Sequence, residues 1–154
     1  MSLNILLVDD HTLFREGLEG LLSRRDINIV AAVGSGQEGL RLAIELEPDV
    51  VLLDMRMPEM DGMDVLRQLR KNGFSNPVAM LTTSSDERDL VESLRSGAQG
   101  YLLKDMEPDQ LVLALRDIVA GKTVVAPDLA PVLARVVQGD SIAPAEESPF
   151  AKLT

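Results

Sequence analysis

Cysteine is absent, which excludes disulfides, thiolate nucleophiles, iron–sulfur clusters and thiolate zinc sites. Tryptophan is absent too, and three Phe and one Tyr leave little material for aromatic platforms that stack single-stranded bases. One His excludes a multi-histidine metal site. Basic residues are the minority: Lys+Arg 15 against Asp+Glu 25 gives a formal net charge of −10, the wrong sign for affinity won by neutralising DNA phosphates. These residues are therefore not expected to bind DNA themselves. No apolar run approaches the roughly 20 residues of a membrane helix. The opening MSLNILLVDD has no basic region, and its apolar stretch stops at a pair of acids, so it does not read as a signal peptide. A cytoplasmic location with no membrane partner is the expectation.

What is present is aliphatic. A hydrophobic fraction of 45% against 26% charged, over 154 residues, suits one folded unit with a tail. Short apolar runs recur at Ile5–Val8, Ile27–Val33, Val50–Leu53, Val78–Leu81 and Tyr101–Leu103, each of strand length. Helical spacing fills the gaps, as in Leu13, Leu18, Leu21 and Leu22, or Leu90, Val91 and Leu94. The punctuation agrees with this alternation. Ser35 with Glu38, and Ser84 with Glu87, have the spacing of capping boxes; Asp61-Gly62 opens another helix, and Pro108 sits where a first helical residue would be. Gly73, Gly97 and Gly121 stand just past helix ends.

Near-continuous apolar strands that alternate with helices imply a parallel sheet covered on both faces. The expectation is an α/β, doubly wound five-stranded domain over about residues 3–121. Beyond Gly121, a stripe of Leu129, Val132, Leu133, Val136 and Val137 predicts a sixth helix, with Asp128 as N-cap and Pro131 in its first turn. This helix reads as a linker. From Gln138 onward, Pro, Ala, Ser and Glu without periodicity read as flexible chain.

Ligands of such sheets bind beyond the carboxyl ends of the strands. There the first run ends in Asp9-Asp10 and the third in Asp54, which brings three carboxylates together if the strands are neighbours. Bare, they would repel; a hard divalent cation such as Mg²⁺ would reconcile them. Thr82 ends the fourth run and Lys104 the fifth, delivering a hydroxyl and an ammonium to the same rim. Each residue alone has a plainer reading: helix cap for Asp10 and Thr82, first-turn acid for Asp9, surface charge for Lys104. Jointly they describe a phosphoryl site, with a carboxylate nucleophile, metal, hydroxyl donor and lysine.

The segments LLVDDH, VVLLDMRMPEMDG, VAMLTT and GYLLKDMEP resemble the receiver domain of bacterial two-component response regulators, across nearly all of residues 3–121. The run GAQGYLLKDMEPDQL with APVLARVV further resembles the NarL/FixJ (LuxR-type) subfamily, and within it the nitrate/nitrite-responsive members. The resemblance implies a flavodoxin/CheY-like fold with strand order 2-1-3-4-5. It divides the chain into a receiver at 1–124, a linker helix at 125–138 and a flexible linker at 139–154. A helix-turn-helix DNA-binding domain would begin just after Leu153-Thr154 and is expected to be missing.

Carried over, the resemblance makes Asp54 the phosphoacceptor. Mg²⁺ would be held by Asp10, Asp54 and the backbone carbonyl of Arg56, with Asp9 assisting through water. Thr82 and Lys104 would contact the phosphoryl oxygens. Thr82 and Tyr101 would form the switch, the Tyr101 ring turning from solvent to core on activation. A sensor histidine kinase would be the donor, a homodimer the activated form, and DNA a partner only through the missing domain. The chain would be a signalling phosphoacceptor, not an enzyme, acting only on itself. Lys104 precedes Asp105 where many receivers have Pro, and a cis bond there would cost about 3–4 kcal/mol, so a trans bond is predicted. Exposed His11 is not expected to be catalytic.

Three alternatives remain at this stage. A haloacid-dehalogenase-type phosphohydrolase needs a second acid two residues after the nucleophile, where this chain has Arg56. An FMN binder needs a hydroxyl- and Gly-rich loop where it has Asp9-Asp10. A receiver that binds proteins without phosphorylation would not need Thr82 and Lys104 beside the acids.

Overall fold

Six stretches rich in Val, Leu and Ile pair in parallel, and the helices between them cover both faces of the resulting sheet. The computed structural model describes residues 3–138, for 136–138 the backbone alone; the expected linker at 139–154 and the side chains of Val136 and Val137 are outside what it describes. In chain order the elements are β1 (Leu3–Val8), α1 (Thr12–Ser23), β2 (Ile27–Val33), α2 (Gly36–Leu46), β3 (Val50–Asp54), α3 (Gly62–Lys71), β4 (Val78–Thr82), α4 (Glu87–Arg95), β5 (Gly100–Leu103), α5 (Pro108–Val119) and β6 (Val124–Val125). A 3-10 turn at Pro127–Leu129 then leads into α6 (Ala130–Gln138). The strand order is β2-β1-β3-β4-β5-β6, all parallel.

The first five strands take the expected order, and β6 is an addition to it. Val124 N–H donates to Gln99 O and Ala126 N–H to Tyr101 O, both at 2.9 Å, which lays two residues along the open edge of β5. Two valines are too few to stand out as a strand-length run, so part of the segment expected in the linker helix belongs to the sheet. Asp128 accordingly lies in the 3-10 turn instead of capping a helix, and α6 starts only at Ala130.

The sheet separates two apolar layers. One face packs Leu18 and Leu22 of α1 and Leu111, Leu115 and Ile118 of α5 against Ile5, Leu7, Leu52 and Leu81. The other packs Ala43 of α2, Val65, Leu66 and Leu69 of α3 and Leu90 of α4 against Leu6, Val8, Leu53 and Met80, with half-buried Val132 and Leu133 of α6 at its margin. Met106 touches both layers. β3 and β4 are buried along their whole length, which is why they read as continuous apolar runs.

Apart from Asp128, helix ends follow the expected chemistry with two exceptions. Ser35 caps α2 by accepting from Glu38 N–H, and Asp61 forms a capping box with Asp64 on α3. Gly73, Gly97 and Gly121 take positive φ past α3, α4 and α5. The exceptions are at α4 and α1. Asp86, not Ser84, caps α4, because the Ser84 hydroxyl donates instead to Asp89 Oδ2 at 2.6 Å. At α1 the N-cap position is His11, without a side-chain cap, so Asp10 does not serve that role. Every described peptide bond is trans, Lys104–Asp105 included.

Candidate functional site

β1 and β3 are adjacent, with Val8 opposite Leu53, so the residues just past them share one rim. Asp9 follows β1 and Asp54 ends β3; both side chains are buried, Asp10 is partly so, and one ligand atom from each, together with His11, falls within 4.8 Å of the others. The backbone fixes this arrangement. Asp9 N–H donates to Val33 O on β2, and Asp9 Oδ1 accepts from His11 N–H at 2.8 Å. Behind Asp54, Gly62 opens α3 so close to the strand that a Cβ there would strike the Asp54 carbonyl. A glycine is needed at this approach.

β4 and β5 bring the remaining groups. Lys104 N–H donates to Thr82 O, which locks the two strand ends together. The ammonium of Lys104 sits 2.9 Å from Asp9 Oδ2 and 3.5 Å from Asp54 Oδ1, and 4.6 Å above the Phe14 ring. Thr82 is buried, and its hydroxyl oxygen accepts from Ser84 N–H at 3.0 Å.

The charge on this rim is only partly balanced. Burial, followed by the Asp9 charge, pushes the Asp54 carboxyl up to about 6, against the pull of Lys104 and the Arg56 backbone N–H. Asp9 Oδ2, Asp10 Oδ1 and Asp54 Oδ2 are buried and accept no hydrogen bond; Lys104 lies at ion-pair distance from Asp9 Oδ2 without hydrogen-bond alignment. Buried acceptors left bare are costly. Three carboxylate oxygens converging with one ammonium to balance them fit a hard cation with oxygen ligands, so the residues present suit Mg²⁺.

Sequence reasoning places Asp9, Asp10, Asp54, Thr82 and Lys104 at strand ends, and the structure brings the three acids and Lys104 into one cluster with Thr82 on the adjoining strand. Two features went unforeseen. His11 is exposed as expected, yet its Nδ1 lies 3.3, 3.7 and 3.9 Å from Asp9, Asp10 and Asp54 and 3.4 Å from Lys104 Nζ. Its place directly after Asp10 was the available signal. The exposed side chain of Arg56 turns from the acids to donate to Asp89 Oδ2 at 2.7 Å, so no second carboxylate stands two residues after Asp54, as a dehalogenase-type hydrolase would need.

Tyr101 lies on the core side of the movement expected of it. Its ring is fully buried, and its hydroxyl donates to Ser84 O at 3.1 Å, with burial pushing its pKa up to about 12. The ring fills the α4-side layer, which together with the Ser84 carbonyl satisfies both its apolar body and its polar tip.

A family model described as the response regulator receiver domain matches residues 5–116, which contain the whole acidic rim, Thr82 and Lys104. The chain belongs to this receiver family. The Escherichia coli K12 nitrate/nitrite response regulator protein NarL is 44% identical to this receiver over 131 residues, covering 84% of this chain and 61% of that protein. The Bacillus subtilis transcriptional regulatory protein LnrK is 41% identical over 128 residues, 82% of this chain and 58% of its own. The receiver chain thus spans about three-fifths of the curated relatives it matches. Among solved structures, a LuxR-family two-component response regulator from Aurantimonas superposes with a TM-score of 0.84 at 31% identity, covering 90% of this chain and 99% of that one. The receiver domain of the putative NarL of Mycobacterium tuberculosis superposes at 0.75 and 34%, covering 79% and 98%. Among the described residues, no helix of this receiver is long and apolar enough to cross a membrane.

Proposed function

We propose that this receiver accepts a phosphoryl group on Asp54 from the phosphohistidine of a sensor kinase, with Mg²⁺, and that the modified domain controls a transcriptional output. The observation that carries this is the set of bare carboxylate oxygens on Asp9, Asp10 and Asp54 beside Lys104. Asp54 Oδ attacks phosphorus in line. The new P–O bond forms as the P–N bond breaks, and the departing imidazole keeps the electron pair and takes a proton from solvent. Mg²⁺, when bound, would neutralise charge on the transferring phosphoryl oxygens. Asp10, Asp54 and the backbone carbonyl of Arg56 would hold it, with Asp9 acting through water.

Lys104 supplies a fixed positive charge for the product, whose phosphoryl group carries roughly −1.5 to −2. Thr82 offers a hydroxyl whose proton can be donated to a phosphoryl oxygen while its oxygen accepts from Ser84 N–H. By analogy with NarL-type relatives, the intact protein is a cytoplasmic regulator that dimerises when phosphorylated and binds DNA through a further helix-turn-helix domain. Residues 1–124 are then the receiver, 125–138 the linker helix and 139–154 the flexible connection. A nitrate or nitrite signal is the corresponding reading of the pathway.

Mass spectrometry after incubation with acetyl phosphate tests the core of this. A phosphoryl mass gain that needs Mg²⁺ and disappears in Asp54→Asn is expected; a gain that survives in the Asn variant overturns the assignment.

A further inference from the structure

The acidic first turn of α4 is gripped by two arginines from opposite ends of the molecule's logic. Arg56, two residues after Asp54, donates to Asp89 Oδ2 at 2.7 Å, and the same oxygen accepts from Ser84 Oγ at 2.6 Å. Glu87, two residues before Asp89, accepts at Oε1 from Arg135 of α6 at 2.8 Å. The first pair ties the phosphoacceptor loop to α4; the second ties α4 to α6. Asp86, which caps this helix, adds a third carboxylate to the same turn.

The hold on α6 is shallow. Among the described side chains, those that hold it besides Arg135 are half-buried Val132 and Leu133, at the edge of the layer that contains Leu90 and Leu129. A helix of 9 residues does not persist alone in water, and an ion pair with Arg135 64% exposed contributes little by itself. Modest changes in α4 are therefore enough to tip α6 between docked and free.

We infer that α6 is a displaceable strap on α4, released when a phosphoryl group on Asp54 draws Arg56 away from Asp89. This rests on the phosphoacceptor reading above. A phosphoryl group of roughly −1.5 to −2 charges, formed beside the backbone of Arg56, is a stronger partner for a guanidinium than one carboxylate. Once Arg56 leaves, Asp89 keeps the Ser84 hydroxyl but loses its own guanidinium, while Asp86 beside it stays paired with Arg88. The turn that positions Glu87 for Arg135 then loosens. Ser84 also carries the carbonyl that holds Tyr101, so the same loop connects the change to the core. Coupling of this kind is reciprocal: if modification frees α6, freeing α6 must favour modification.

Hydrogen exchange of the α6 amides, with beryllofluoride and Mg²⁺ as the phosphoryl mimic, reads the strap directly. Exchange across residues 130–138 should speed several-fold on adding the mimic, and unmodified Asp89→Asn should already exchange at the activated rate. Arg135→Glu should bind beryllofluoride several-fold more tightly, and the exchanged pair Glu87→Arg with Arg135→Glu should return the wild-type affinity. Val132→Ala, which weakens docking while keeping the ion pair, should tighten binding in the same direction. Unchanged α6 exchange while fluorine NMR shows Asp54 occupied overturns the strap and leaves the phosphoacceptor reading intact. A wild-type chain that gives no bound fluorine signal overturns that reading, and the strap with it.

Discussion

Asp54 binds its proton more readily in the fold than in the unfolded chain, since its carboxyl moves from 3.8 to about 6. The stabilisation from that proton is present below the free value and is lost as pH rises through about 6. Above this the ionised Asp54 is a standing cost of roughly 3 kcal/mol in the absence of metal. Asp54→Asn should therefore be the more stable protein above pH 6 in chelated buffer, with the difference shrinking towards pH 4. Melting temperatures that differ by the same amount at both ends of the range would contradict it. Mg²⁺ at neutral pH should narrow the gap by stabilising the wild type more. Asp10→Asn should weaken Mg²⁺ binding in a titration, because it removes one bare oxygen while leaving Asp54 in place. Tyr101, the sole tyrosine and fully buried, should resist acrylamide quenching in the unmodified chain. Tyr101→Phe should cost about 0.5–1.5 kcal/mol through the bond to Ser84 O.

At the scale of elements, the close approach of α3 to β3 is the constraint most exposed to test. Gly62→Ala would drive a Cβ against the Asp54 carbonyl and the Met55 backbone, and backbone cannot yield as a flexible side chain can. A loss of about 1–3 kcal/mol in urea unfolding is expected, with slower phosphorylation because Asp54 itself shifts. A fully stable Ala variant would mean that the approach is looser than drawn. The strand-end residues were legible in the sequence because each closes an apolar run, and burial on both faces makes such runs conspicuous. β6 was not, since two valines carry no periodic signal. The Arg56–Asp89 pair was also hidden, because it joins residues 33 apart in the chain and such contacts leave no local trace. The cap of α4 was misread because Ser84 and Asp86 both suit that position, and the bond of the Ser84 hydroxyl to Asp89, five residues on, decides between them.

On the scale of the whole molecule, the charge of −10 governs encounters with polyanions. Residues 1–154 alone should give no footprint on DNA at physiological salt, phosphorylated or not, since modification only adds negative charge. A sequence-specific footprint from this chain would contradict that. The sheet has a further consequence, because it walls the α1–α5 layer off from the layer under α2, α3, α4 and α6, with Met106 the shared neighbour. Side chains on opposite faces do not share a cavity, so truncations such as Leu22→Ala and Leu66→Ala should destabilise additively, within about 0.3–0.5 kcal/mol. A domain partitioned in this way can vary the surface over one layer without renegotiating the packing of the other. Its two exteriors are thus free to diverge under separate pressures while the acidic rim between them stays the same.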